Sequence, residues 1–331
     1  MRAVQAGEFG GPEVLVVREL PDPVAGPGEV VVDVAAADVM FLDTRLRSGW
    51  GTDFFAIELP YVPGGAVAGV VASVGSGVDS SWIGKRVSTP TAASGIGGGL
   101  PIGGYAEKAL AKADTLTALP EGLTATQAVA LAHDGRTALA VFDHAAVQPG
   151  EWVLITAAAG GLGVLLIQLA RAAGAHVVAA ARGAAKLELA ERLGATAVVD
   201  YSAPDWAAKA RAATEGAGAH VVFDGAGGAL GEAALTVAAD GGRFFGYGAA
   251  AGQFAVPNQE TAAARGISVY GLFDITGADI DWQAIARRAQ EEVVAGRLEV
   301  VIGQTFPLDQ ADRAHAAIES RAALGRTLLT V

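Results

Sequence analysis

A short run of small residues holds the first chemistry in this chain. Gly160, Gly161, Leu162 and Gly163 follow the uninterrupted apolar run Trp152–Thr156 after three alanines. Aligned to G-x-G-x-x-G, the first position is Ala158, the second Gly160 and the third Gly163. Gly160 has no Cβ to keep a pyrophosphate off the backbone, and Gly163 lets the following helix close on the strand. The helix start adds free N–H groups and a partial positive charge. A strand before, a helix after and further such units behind supply the context that a bare motif lacks. These features predict a dinucleotide cradle. Inert packing of small residues is the bland alternative. A membrane span over Trp152–Ala170 is disfavoured, because Ala and Gly are weakly apolar, the glycines interrupt the run and no basic loops flank it.

The next predicted strand distinguishes one dinucleotide from another. An NAD site places an acid about twenty residues on, against the ribose 2′-hydroxyl. Ala181 stands there instead, followed by Arg182 and Lys186. Cations in place of an acid favour a 2′-phosphate, hence NADPH over NADH. Proton chemistry has candidates too: His133 beside Asp134 is able to supply a proton near neutral pH, and Tyr61 and Tyr105 are further donors. Helix capping by Asp134 is the bland alternative.

Other chemistries are closed. The chain has no Cys, and none of its five His falls in a ligand-spaced pair, so a zinc site is not expected. The net charge of −12 argues against a grip on nucleic acid or on anionic lipid. The N-terminus has an acid at Glu8 and no early apolar core, so no signal peptide is expected and the predicted location is cytoplasmic.

The elements that must position these residues follow from the pattern. The first third reads as short strands broken by Pro and Gly clusters, as in a small barrel or partly open sheet. Ser94–Glu107 reads as a glycine-rich loop without the Lys-Ser/Thr ending of a P-loop. From Thr124 the reading is helical to Ala145, with Gly135 a possible interruption. Strands and helices then alternate, which predicts a parallel sheet covered on both faces. After Gly271 the order is helix, strand (Leu298–Gly303), helix, strand. The fold class is α/β: a doubly wound Rossmann unit inserted into a β-rich domain that resumes at the C-terminus.

The sequence also resembles a family over essentially its whole length. "EFGGPEVLVV", "LDTRLRSG", "LPYVPG", "GGYAE", "AAAGGLG", "AVVDY" and "ESRAALGRTLLTV" are similar, in order, to segments of the zinc-free quinone oxidoreductase branch of the medium-chain dehydrogenase/reductases. The resemblance implies a GroES-like catalytic domain, residues 1–123 and 272–331, and a Rossmann domain, residues 124–271. It implies that Lys186 and Tyr201 grip the adenosine 2′-phosphate and that Thr137 lies beside the nicotinamide. Loops holding Gly225, Gly227 and Gly248 would line the cofactor, with Asp43 and Arg321 near its nicotinamide end. Met40, Arg45, His133, Asp134 and Arg136 depart from the family's usual residues. Arg45 in that setting would favour an acceptor bearing negative charge.

The expected function is zinc-independent hydride transfer from NADPH to a quinone or conjugated enone, with the protein a homodimer by family analogy. An enoyl-thioester reductase and a low-turnover NADPH-binding sensor or structural protein are the alternatives.

Overall fold

The structure is a computed structural model and describes residues 1–52, 57–91, 102–275 and 280–331. The glycine-rich loop expected over 94–107 lies outside the described residues as far as 101. The chain divides into two compact units, residues 1–136 with 282–331, and residues 137–281.

In residues 137–281, apolar runs long enough for one strand each are buried on both faces. Val153, Leu154 and Ile155 are all fully buried, as are Val177 to Ala180 in the next strand. Such runs suit the interior of a parallel sheet between helix layers. Six parallel strands lie in the order Ala197–Asp200, His176–Ala181, Trp152–Thr156, Ala219–Asp224, Ala238–Gly246, Ser268–Gly271. The order reverses at Trp152–Thr156, the point where open α/β sheets bind ligands at the carboxyl ends of their strands. Helices Gly161–Ala172, Ala184–Leu193, Trp206–Ala213 and Gly228–Val237 form the crossovers. Gly194 ends the second of them at φ +107, a left-handed position that costs glycine nothing.

In the other unit, strand Glu29–Val39 is the spine. It pairs antiparallel with Ala66–Val74, Arg326–Thr330 and Lys108–Lys112. The full sheet runs Ile302–Pro307, Arg326–Thr330, Glu29–Val39, Ala66–Val74, Arg86–Pro90, Thr117–Ala118. One face packs on Tyr61, Tyr105, Leu308 and the helix Ala311–Glu319. The opposite face places Ala36, Ala66, Ala68 and Leu328 against the helix Ala125–Leu131.

That second contact moves the expected domain boundaries. Ala128 and Val129 are fully buried beside Leu328, so Ala125–Leu131 belongs with the β-rich unit and the changeover falls at 136/137 rather than 123/124. The second changeover falls at 281/282 rather than 271/272. The helical region expected from Thr124 is two helices, Ala125–Leu131 and Asp134–Ala145, separated by a turn at Ala132 and His133. Gly135 therefore lies inside the second helix, where a Cβ would come within 2.9 Å of Leu131. The strand expected at Leu298–Gly303 runs from Ile302 to Pro307. No helix among the described residues is long and apolar enough to cross a membrane.

Candidate functional site

The cradle in residues 137–281 is built at the end of strand Trp152–Thr156. The chain turns at Ala157, which takes φ +49 despite its Cβ, so the tight turn lies one residue before the first motif position. Gly160 is the N-cap of helix Gly161–Ala172, and no side chain caps that end. Its first N–H groups therefore remain for a ligand. A Cβ on Gly163 would stand 2.7 Å from the carbonyl oxygens of Ala157 and Ala158, which only glycine avoids. Gly160 is exposed, and a Cβ there would have one near neighbour, the Ala157 carbonyl oxygen at 3.3 Å. A pyrophosphate fits this arrangement: backbone donors are free and the backbone is approachable.

The neighbouring strand ends at Ala181, and Arg182 is exposed while Lys186 and Tyr201 are half-buried. Asp200, at the end of the adjacent strand, accepts from the Gly183 N–H at 3.0 Å and from the N–H and hydroxyl of Ser202. Those hydrogen bonds, with the Ser202 hydroxyl first, hold its carboxyl below the ordinary range. Asp200 thus fixes the loop that carries Arg182, a role the sequence did not reveal.

The loops holding Gly225, Gly227 and Gly248 meet through a buried pair. The Thr156 hydroxyl donates to Asp224 Oδ1 at 2.5 Å and accepts from the N–H groups of Gly225 and Ala226 at 3.1 Å. Asp224 also accepts from the Ala226 and Gly227 N–H groups. Burial raises its carboxyl despite those donors. A Cβ on Gly248 would lie 2.4 Å from the Gly225 carbonyl, so the two loops touch backbone to backbone. Gly227, at φ +70, makes the bend into helix Gly228–Val237. Thr137 is half-buried on helix Asp134–Ala145 in this same unit.

The other candidates lie in the β-rich unit, and Asp43, Tyr105, His133 and Asp134 among them fall in two clusters. Asp43 is 2% exposed on helix Phe41–Arg47 and accepts the Met40 N–H at 2.8 Å, capping its own helix. The Tyr105 hydroxyl donates to Asp43 at 3.3 Å and lies 3.0 Å from His315 Nε2. Arg47 approaches His315 Nδ1 at 3.4 Å and donates to Glu319. Arginine has no acceptor, so His315 takes up the Arg47 hydrogen at Nδ1, carries its own at Nε2 and donates to Tyr105. Burial, aided by Arg47, lowers His315 to about 3, so it stays neutral. Burial pushes Asp43 up to about 6. Tyr61 and Tyr105 are enclosed at 1% and 0% exposure, so neither is a solvent-facing donor.

The second cluster gathers Asp38, His133, Asp134 and Arg326. Arg326 donates to Asp134 at 2.7 Å and to Asp38, while His133 Nδ1 lies 3.3 Å from Asp38. The Asp134 carboxylate, one of the candidate proton donors, is engaged by Arg326. Asp38 and Arg326 were missed by sequence reasoning. The available signal was strand phase, since Asp33 is exposed and Asp38, five residues on, falls in the buried phase of the same strand.

Arg45 and Arg321 enter neither cluster. The Arg45 guanidinium lies 5.3 Å over the Trp50 ring, and that of Arg321 lies 4.5 Å over Phe41. Arg136 stacks on Trp282 at 5.5 Å, and its Nε is buried without a hydrogen-bond partner. Among the described residues, no three His, Cys, Asp or Glu gather as a metal site would require.

Comparison with known proteins places these features in a family. Residues 26–121 match the alcohol dehydrogenase GroES-like domain and residues 161–291 the zinc-binding dehydrogenase domain. The quinone oxidoreductase of Sus scrofa is 33% identical over 99% of this chain and 97% of its own length. A 2-haloacrylate reductase of a Burkholderia species is 32% identical over 97% and 96%. The structure of Escherichia coli quinone oxidoreductase complexed with NADPH superposes with a TM-score of 0.88 at 29% identity, covering 100% of both chains.

Proposed function

This chain belongs to the medium-chain dehydrogenase/reductase family, in its quinone oxidoreductase group, and from that premise we propose that it is a zinc-independent, NADPH-dependent reductase of quinones or conjugated enones. The observation that carries the reading is the open helix start at Gly161, beside a strand that ends without an acid at Ala181 and is followed by Arg182 and, in the first turn of the next helix, Lys186. NADPH, when bound, supplies the hydride. The N–H groups from Gly161 onward would hold its pyrophosphate, and Arg182, Lys186 and Tyr201 its 2′-phosphate. Asp224 and Thr156 keep the loops of Gly225, Gly227 and Gly248 in one shape, so the cofactor would meet a surface already formed. Thr137, Asp43, Arg45 and Arg321 are proposed near the nicotinamide on family resemblance. The relative named for reducing 2-haloacrylate, itself a conjugated acid, supports enones beside quinones as acceptors. Zinc independence is supported by the absence of Cys. The edge strand Ser268–Gly271, with Phe273 exposed at 84% nearby, supports a homodimer through that sheet edge.

The test is NADPH oxidation against a panel of 1,4-quinones and enones, repeated with a chelator. Lys186→Ala is expected to raise the KM for NADPH about tenfold or more and leave that for NADH little changed, as suits a charge-assisted contact to phosphate. Equal losses with both cofactors would contradict the assignment.

A further inference from the structure

Asp200 makes one set of contacts that closes its own strand and another that does not. Its Oδ1 accepts the N–H and the hydroxyl of Ser202 at 2.8 and 2.6 Å. That is an Asx turn, a local way to end a strand. Its Oδ2 accepts the Gly183 N–H at 3.0 Å, from a loop 17 residues away in the chain. Strand ending does not account for that second bond.

The sheet register shows what the bond to Gly183 ties together. Asp200 stands opposite Ala181, the last residue of strand His176–Ala181. The strand ends are stitched in order: the Ala158 N–H, from the cradle turn, donates to the Ala180 carbonyl at 3.2 Å, and the Tyr201 N–H donates to that of Ala181 at 3.1 Å. The cradle turn, the Arg182–Gly183 turn and Tyr201 therefore form one row inside residues 137–281. Gly183 takes φ +85, a left-handed position, and is the N-cap of helix Ala184–Leu193. Its carbonyl accepts the N–H groups of Lys186 and Leu187 at 3.2 and 3.3 Å. Holding Gly183 thus sets the chain on both sides of it, with Arg182 before and the helical turn of Lys186 after. Tyr201 follows Asp200 directly, and its ring packs edge to face on Trp206 at 6.3 Å. Through one carboxylate, the backbones that carry Arg182, Lys186 and Tyr201 are joined.

We infer that Asp200 is a positioning residue for NADPH selectivity, fixing where Arg182, Lys186 and Tyr201 stand relative to one another. The inference rests on the assignment of those three side chains to the 2′-phosphate proposed above. Asp200 does not itself read the ligand. An ionised carboxylate only accepts hydrogen bonds, so it repels a phosphate. The hydrogen bonds from Ser202 first, then that from Gly183 and the charge of Arg182, keep it ionised below the ordinary range. Its effect on the site is therefore the sum of a repulsion and an ordering. The repulsion acts between groups open to water and is screened by salt. The ordering is not, and binding groups lose much of their effect when displaced by even about 0.5 Å. The two effects have opposite signs, which makes them separable.

The experiment titrates 2′,5′-ADP and 5′-AMP calorimetrically into full-length wild type, Asp200→Ala, Asp200→Asn and Lys186→Ala, at low and at physiological salt. Melting temperatures and hydrogen exchange of the Gly183 amide are read on the same proteins without nucleotide. Asp200→Ala is expected to bind 2′,5′-ADP about tenfold more weakly and 5′-AMP within about twofold of wild type. Its Gly183 amide is expected to exchange faster, with the melting temperature lowered by only a few degrees, since Asp200 is half-buried at a strand end. Asp200→Asn has a single acceptor oxygen, so it keeps the tie to Gly183 or to Ser202 but not both. It is expected to shift selectivity in the same direction, and it carries the comparison if Asp200→Ala folds poorly. Tighter binding of 2′,5′-ADP by both variants, strongest at low salt, would mean that repulsion is the whole effect and would overturn the inference. Equal losses on both nucleotides, or an unchanged ratio, would overturn it as well. Selectivity lost in Lys186→Ala but kept in Asp200→Ala refutes the positioning role alone. Wild type that binds both nucleotides alike, with Lys186→Ala unchanged, refutes the 2′-phosphate assignment and the positioning role with it.

Discussion

Asp43 lies against the first turn of its own helix, accepting the Met40 N–H, with the Tyr105 hydroxyl as its second donor. Both donors favour the carboxylate, yet burial outweighs them and moves the group from 3.8 to about 6. The folded protein thus holds this proton more tightly than the unfolded chain does. Below about pH 4 the carboxyl is protonated in both states. As pH rises from there, the unfolded chain ionises first and folding stability falls, by about 3 kcal/mol in total by about pH 7. Asp43→Asn removes that titration and keeps an acceptor for Met40. Its stability relative to wild type is expected to improve by about that amount between about pH 4 and pH 7, read from urea unfolding at each pH. A difference that does not vary with pH would refute the assignment. At this scale the sequence was informative about type and blind to setting. His133 and Asp134 stood out as charged residues in an unusual place. Their partners did not, because Asp38 is 95 residues from His133, and Arg326 is 288 residues from Asp38. Only the sheet register brings those positions together.

The element that holds the phosphate cradle separates two glycines that a motif treats alike. Gly163 packs its helix on the preceding turn, and an added Cβ would press on two backbone carbonyls at 2.7 Å. Gly160 is exposed, and an added Cβ would make a single tight contact, 3.3 Å from the Ala157 carbonyl oxygen. Gly163→Ala is therefore expected to destabilise the protein by about 1–3 kcal/mol, the usual range for overpacking. Gly160→Ala should leave the melting temperature within a few degrees while weakening NADPH binding about tenfold or more, because its Cβ occupies the space a pyrophosphate would take. Melting curves and fluorescence titration of NADPH check the pair; a stable Gly163→Ala or an undiminished affinity in Gly160→Ala would count against it. The strand–turn–helix order was legible because Trp152–Thr156 is one apolar run and the glycines stand at its end. The Thr156–Asp224 pair was not, since a threonine ending one strand and an aspartate ending another give no local sign that they face each other. The helix break at His133 was hidden for a related reason. Gly135 drew the eye as an interruption, whereas the chain turns two residues earlier, where His133 meets Asp38.

At the scale of the whole chain, the proposed cofactor grip and the charged cluster around Arg326 belong to different compact units. Gly160, Gly163, Arg182, Lys186, Tyr201, Gly225, Gly227 and Gly248 all fall within residues 137–281, while Asp38, His133, Asp134 and Arg326 all fall within 1–136 and 282–331. The first unit is one uninterrupted segment with its own six-stranded sheet and its own buried cluster around Leu154, Val222 and Phe244. The second is made of two segments joined through the strand pair Glu29–Val39 and Arg326–Thr330, so it cannot be cut out without a new connection. Helix Asp134–Ala145 straddles the changeover, and a fragment that keeps the helix whole begins at Asp134. Residues 134–281, about 150 residues, reach a size at which one core sustains a domain. Such a fragment is expected to unfold cooperatively in urea and to bind 2′,5′-ADP at least about tenfold more tightly than 5′-AMP, since the 2′-phosphate is the group that Arg182 and Lys186 would read. Calorimetric titration of the two nucleotides measures the ratio. A folded fragment that binds both alike would remove the 2′-phosphate from this unit. A fragment that folds only with residues 1–136 present would make the cradle depend on the discontinuous unit, against the separation its sheet and core imply.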